Sequence, residues 1–212
     1  MLKFASSSLS PPDLPLTNLV FSRIHQPDVL CYNLGVRAHS SVSRPLNSLS
    51  LYQSLLLQGL CPNEYTFCFL LDCCSRGLAL QEGRQVHGQL KKHGLDAATF
   101  AGTSLIHMYG SCGAFQDALR AFDQMHHRSD ISWAAIIDAC INNGMSMDGL
   151  SLFYEVMSLG VDPNNAALVN ILCACACACA CACAERGGLF IGRQVDAHVA
   201  MRGLELNINK PC

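Results

Sequence analysis

The chain repeats itself, and that limits its fold more than any other feature. Leu49–Asn63 (LSLYQSLLLQGLCPN) and Leu150–Asn164 (LSLFYEVMSLGVDPN) share Leu, Ser, Leu, then Gly, then Pro-Asn at an offset of 101 residues. Gly83–Leu95 (GRQVHGQLKKHGL) and Gly192–Leu204 (GRQVDAHVAMRGL) match at an offset of 109. A CACACACA insertion in the later copy supplies the eight extra residues. With it set aside, one register runs through the units Val29–Asn63, Glu64–Ala98, Thr99–Ser129, Asp130–Asn164 and Asn165–Asn207. The third unit has 31 residues, the fifth 43 with its insertion, and the others 35. Residues 14–28 read as the back half of a further short unit, and residues 208–212 as the start of another that stops. Self-similarity at this period is the signature of a repeat architecture.

Each unit reads as two helices. In the third, Phe115, Ala118, Leu119, Phe122 and Met125 recur at helical spacing after TSLIHMYG and a turn at Ser111–Ala114. In the second, TFCFLLDCCSRG and ALQEGRQVHGQLKKHG carry Gly77 and Gly94 as stop signals. In the fourth, ISWAAIIDACINNG passes through Gly144 into MDGLSLFYEVMSLG, and Pro163 ends it. Helical hairpins this short cannot bury their apolar faces alone, so they stack on one another. The expected fold class is all-α.

Composition narrows the function. Half the residues are apolar and 14% are charged, which suits a folded chain rather than a disordered one. A net charge of −2 excludes coating of nucleic acid by bulk positive charge, leaving local basic patches and base contacts. Of 14 cysteines, six alternate with alanine from Cys173 to Cys183, and no secretory signal precedes them. Free thiols in a reducing compartment are expected, not a disulfide framework. Residues 1–13 are Ser-rich with no acid before Asp13, the composition of a weak organelle transit segment. Ala166–Ala184 is long enough to cross a bilayer, but its Ala and Cys content drives insertion poorly, so no membrane association is expected.

GRQVHGQLKKHGL, SLIHMYGSCGAFQDALRAFDQM and the following DISWAAI resemble the plant pentatricopeptide-repeat family. Within it, the 35, 35, 31 alternation resembles the subgroup in which standard, long and short units follow one another. The resemblance runs from about Leu14 to Asn207. It implies a right-handed superhelical solenoid of helix–turn–helix repeats that binds single-stranded RNA at about one base per repeat. It also implies an organellar setting, the mitochondrion or alternatively the chloroplast. There the chain would act as a non-catalytic specificity factor in cytidine-to-uridine editing or other processing, beside a separate editing or processing enzyme. No DNA partner and no cofactor are implied.

In this family the base-reading side chains are one near the start of each first helix and the last residue of the unit. The resemblance therefore implies the pairs Asn33 with Asn63, Cys68 with Ala98, Thr103 with Ser129, Ala134 with Asn164, and Val169 with Asn207. Asn offers both donor and acceptor and Thr a single hydroxyl, whereas Ala134 and Val169 cannot hydrogen-bond through their side chains. The RNA-contacting set is thus Asn33, Asn63, Thr103, Ser129, Asn164 and Asn207, with Asn33 and Asn63 suited to a pyrimidine. Asn63 and Asn164 precede new helices, where Asn is an ordinary N-cap. Capping and base reading are equal readings for Asn164, whereas Asn33, inside a helix, reads as a base contact. Trp133 shares the slot of Tyr32 and Phe67 and reads as core. Lys91, Lys92 and His93 read as a solvated helix end whose charge suits the dipole.

Catalytic motifs are missing. Some relatives in the subgroup end in a zinc-dependent deaminase-like domain, which needs His-x-Glu and Cys-x-x-Cys. No His here is followed by Glu two residues on, and no two cysteines are three apart. The chain therefore reads as truncated before such a domain, and no metal site is expected. The Cys-Ala tract suits expansion of a short DNA repeat better than soft-metal binding, because alternate residues do not share a helix face. Eight added helical residues would advance the phase by about 800°, so the insertion is expected to loop outward. A protein-interaction scaffold, or an inactive truncated product, is the alternative reading.

Overall fold

The computed structural model describes residues 19, 21–40, 45–96 and 98–160. The transit-like start, the fifth unit with its Cys-Ala tract, Asn164, Val169, Asn207 and the tail lie outside the described residues. Among the described residues, eight full helices follow one another and no strand occurs. They are α1 (Val29–Ser40), α2 (Pro45–Leu57), α3 (Glu64–Arg76), α4 (Leu80–Lys92), α5 (Thr99–Ser111), α6 (Phe115–Asp123), α7 (Asp130–Asn142) and α8 (Ser146–Ser158).

Local chemistry places the ends. Asn63 caps α3 through a capping box with Thr66, and the Ser129 side chain caps α7 by accepting from the Ser132 N–H. Pro45 opens α2, where a missing N–H costs nothing. Gly113 and Gly144 take φ of 75° and 74° in the turns that begin α6 and α8, a region closed to most side chains. The second hairpin turns differently. Gly77 sits at φ −84°, and Leu78 takes the left-handed conformation at φ 49°. Gly77 is needed for space, since a Cβ there would lie 3.0 Å from the Pro45 ring and 3.2 Å from the Cys73 carbonyl oxygen.

The odd-numbered helices form one continuous row, α1 on α3 on α5 on α7. Each even-numbered helix packs on its own partner, and α2, α4 and α6 also pack on the first helix of the next hairpin. The core runs along the seam between the two layers through residues such as Leu55, Phe67, Ile106, Phe122, Ile137 and Val156. Burial of each large apolar side chain stabilises by about 1.5–3 kcal/mol.

First helices start at Val29, Glu64, Thr99 and Asp130, steps of 35, 35 and 31 residues. Six residues separate each of α2, α4 and α6 from the next first helix, so the connectors do not absorb the short step. The deficit lies in α6, which has 9 residues where α4 has 13. Tyr32, Phe67 and Trp133, the fourth residues of α1, α3 and α7, are buried aromatics, but α5 has Gly102 in that slot. Met125 fills it from beyond the end of α6, its Cγ 3.0 Å from where a Gly102 Cβ would stand. Trp133 is 3% exposed and packs edge-on against Phe122, which fits the core reading.

The closest approach in the inner row is α5 against α7. A Cβ on Gly110 would lie 2.5 Å from the Ala139 Cβ and 3.2 Å from its Cα, with no flexible chain end to give way. Gly110→Ala is expected to destabilise the chain by about 1–3 kcal/mol in urea unfolding. Gly88→Ala, at a helical site with open space around it, should stabilise by about 0.4–1 kcal/mol. Equal effects of the two changes would contradict the close packing of α5 on α7.

A second test concerns His87, half-buried between α4 and α5, with Nδ1 2.9 Å from the Tyr109 hydroxyl. Burial, followed by the charge of Lys91, holds its pKa below the ordinary histidine value, while Asp96 and Asp117 pull the other way. The unfolded chain then takes up a proton that the folded one resists. Its contribution is complete above the ordinary histidine pKa and is lost as pH falls towards the lower folded value. Thermal unfolding of His87→Gln should show a shallower loss of Tm from neutral to mildly acidic pH. An unchanged slope would remove His87 from that account.

Candidate nucleic-acid interface

The inner row gives the side chains on its open face a fixed register. The second residues of α1, α3, α5 and α7 are Leu30, Tyr65, Phe100 and Ile131. All four are large and apolar, yet they are 57%, 58%, 55% and 58% exposed. Tyr65 and Phe100 approach edge to face at 6.2 Å. Four matching exposures in four successive hairpins are not the scatter expected of a soluble surface. The column is visible in the sequence only when the units are aligned in register, which puts an apolar residue second in the first helix, outside the buried stripe.

Three residues further on, almost one helical turn, stand the fifth residues Asn33, Cys68, Thr103 and Ala134. The residues that precede the next first helices are Asn63 before α3, Ala98 before α5 and Ser129 before α7. The structure joins Asn33 to Asn63 directly, with Asn33 Nδ2 donating to Asn63 Oδ1 at 3.1 Å. Asn33 is 4% exposed, so of this pair only Asn63 meets solvent. The Thr103 hydroxyl donates to the Thr99 carbonyl at 2.9 Å, and Ser129 caps α7. Both line a cavity of about 500 Å³ between α5 and α7, together with Phe100, Ile131 and Ala134. Cys68 is buried, and Ala98 caps α5 without a side-chain bond.

Deeper along the face the ninth residues are Arg37, Asp72, His107 and Asp138. Polar bonds here join successive hairpins. Ser40 donates to Asp72, and Ser75 Oγ lies 3.0 Å from His107 Nδ1. Asp72 also holds an ion pair with Arg76 at 3.1 Å. At the α5–α7 step Gly110 stands at the place of Ser40 and Ser75 and packs tightly on Ala139, and Asn143 Nδ2 reaches the Gly110 carbonyl at 2.9 Å. Lys91 and Lys92 are exposed in the last turn of α4, where their charge suits the helix dipole.

Among the described residues, no group of three or more His, Cys, Asp or Glu is placed to hold a metal ion. No described helix is long and apolar enough to cross a membrane. None of the seven described cysteines is in a disulfide. Desolvation pushes the Cys68 thiol up to about 11, and those of Cys74 and Cys140 up to about 12.

These features define a class: an α-helical repeat solenoid whose inner helices each present one exposed apolar side chain on the open face. The pentatricopeptide-repeat family profile matches residues 103–129 and 131–161. A pentatricopeptide repeat-containing protein of Arabidopsis thaliana is 34% identical over 176 residues, covering 83% of this chain and 33% of that protein. Another from Arabidopsis thaliana, named as chloroplastic/mitochondrial, is 35% identical over 204 residues, covering 95% of this chain and 32% of that protein. The crystal structure of the maize pentatricopeptide repeat protein PPR10 superposes with a TM-score of 0.69 at 17% identity, over 92% of this chain and 28% of that one. The same protein with an 18-nt psaJ RNA element gives 0.72 at 16% identity, over 91% and 28%. The chain is a pentatricopeptide-repeat protein similar to those of plants. It spans about a third of the length of the curated relatives it matches.

The burial of Cys68 gives a direct test of which fifth residues are accessible. Brief alkylation of the native chain at mildly alkaline pH, read by mass spectrometry, should modify exposed Cys61 well before Cys68, Cys74 or Cys140. Early labelling of Cys68 would mean that its position opens onto the groove.

Proposed function

We propose that the chain binds single-stranded RNA along the open face of α1, α3, α5 and α7. The observation that carries this is the paired columns. Exposed Leu30, Tyr65, Phe100 and Ile131 offer one stacking surface per hairpin, and the position one turn on offers a base-edge contact where the residue allows it. The fold it shares with maize PPR10, a protein crystallised with an 18-nt psaJ RNA element, supports the same reading. Not every hairpin contributes equally. The Asn33–Asn63 and Thr103–Ser129 positions are polar, whereas Cys68 with Ala98 and Ala134 have little to offer a base edge. Asn164 and Asn207 remain readers by resemblance alone.

The proposed role is that of a non-catalytic specificity factor in an organelle, the mitochondrion or alternatively the chloroplast. A separate enzyme supplies the chemistry of cytidine-to-uridine editing or other processing. The 35, 35, 31 spacing supports membership of the subgroup with alternating unit lengths, and relatives named chloroplastic or chloroplastic/mitochondrial support the setting.

With a net charge of −2, affinity must come more from stacking than from phosphate neutralisation. Fluorescence anisotropy with a mixed-sequence single-stranded RNA should show binding that depends only weakly on salt and is not matched by the duplex. Tyr65→Ala or Phe100→Ala should weaken it by about 1–3 kcal/mol each. Thr103→Ala should alter preference at one nucleotide with little change in overall affinity. No binding by the native chain, with capture of helical peptides instead, would favour the scaffold reading.

A further inference from the structure

The end of the first hairpin carries a hydrogen-bond network that no other described hairpin has. Asn63 Oδ1 accepts from the Thr66 backbone N–H at 3.1 Å and from Asn33 Nδ2 at 3.1 Å, which occupies both lone pairs of an amide oxygen. The Thr66 hydroxyl accepts from the Asn63 backbone N–H at 3.1 Å. It gives its single proton to Asn33 Oδ1 at 2.7 Å, the shorter of its two acceptor contacts, with Asn63 Oδ1 at 3.1 Å. Thr66 is fully buried.

This arrangement fixes which way both amides point. Flipping Asn63 would set its NH2 against the Thr66 N–H, donor on donor, and abolish the cap of α3. Flipping Asn33 would set its oxygen against the Asn63 oxygen, acceptor on acceptor. Asn63 therefore has only its Nδ2 hydrogens to offer outward, and Asn33 is almost wholly covered. The later hairpins lack this constraint. Ala98 and Ala101 have no polar side-chain atoms, and Thr103 and Ser132 give their hydroxyl protons to the Thr99 and Ser129 carbonyls.

We infer that Thr66, a residue of the second hairpin, is a specificity-determining positioning residue for the first. It locks the Asn33–Asn63 pair so that this unit selects a nucleobase group that accepts a hydrogen bond, a keto oxygen or an unprotonated ring nitrogen. The inference rests on the RNA-binding reading above. It adds that the choice at this unit is set by a buried hydroxyl that touches no ligand.

The test compares the whole chain with Thr66→Val, which keeps the shape without the hydroxyl, and Thr66→Ser, which keeps the hydroxyl. In NMR spectra without RNA, the Asn33 side-chain amide protons should be protected from exchange in the native chain and in Thr66→Ser. They should lose that protection in Thr66→Val, while the backbone pattern of α3 beyond its first turn persists. With a set of single-stranded RNAs differing at one nucleotide at a time, Thr66→Val should reduce discrimination at a single position by roughly tenfold. Discrimination elsewhere should be unchanged, and Thr66→Ser should restore it. Protection that survives in Thr66→Val, or an affinity loss equal for all sequences, overturns the positioning role while leaving RNA binding in place. A native chain that binds none of the RNAs overturns both.

Discussion

Each first helix rests directly on the next, and the geometry of the rest of the molecule follows from that contact. Where α5 meets α7 the backbones come so close that Gly110 faces Ala139 with no room for a methyl group. At the two earlier steps, a serine near the end of one first helix bonds the ninth residue of the next. Apolar side chains from the second helices fill the seam behind this row. A hairpin alone would expose that seam to water, so the units are stable as a row rather than singly. The row also keeps chemically equivalent positions in line, which lets separate hairpins address one extended ligand.

The groove face shows how closely stability and recognition are joined. Asn63 and Ser129 lie at would-be reading positions, yet both cap helices. Each meets an N-terminus that needs an acceptor, and only the atoms left over can meet a base. For Ser129 the remainder is a rotatable hydroxyl. For Asn63 it is an NH2 group held in place by two neighbours. The same residue types would have different recognition chemistry in a loop without a helix to cap.

Much of this was legible in the sequence. The apolar spacing of Phe115, Ala118 and Phe122 gave the helical period, and Gly144 marked a turn that the structure builds with a positive φ. Trp133 could be assigned to the core from its equivalence to Tyr32 and Phe67. Gly77 was legible only in part, because its contact with Pro45 comes from tertiary packing and Leu78 takes the strained conformation. The burial of Asn33 was not legible. It depends on Asn63 and Thr66, 30 and 33 residues further on, and on a bond geometry that periodicity does not encode. The column of Leu30, Tyr65, Phe100 and Ile131 is hard to read from sequence, because apolar residues on a helix are first assigned to the core.

The third hairpin shows what changes in length this architecture can absorb. Its four missing residues come from the outer helix alone, and both neighbouring inner helices keep their lengths. Four residues correspond to about 400° of helix, so the shortened α6 returns within about 40° of its original facing. A loss of two would turn the helix by about 200° and present its polar side to the seam. Insertions and deletions in the outer layer are therefore filtered in steps of roughly one turn. The inner layer, whose contacts run in both directions along the row, has no comparable freedom.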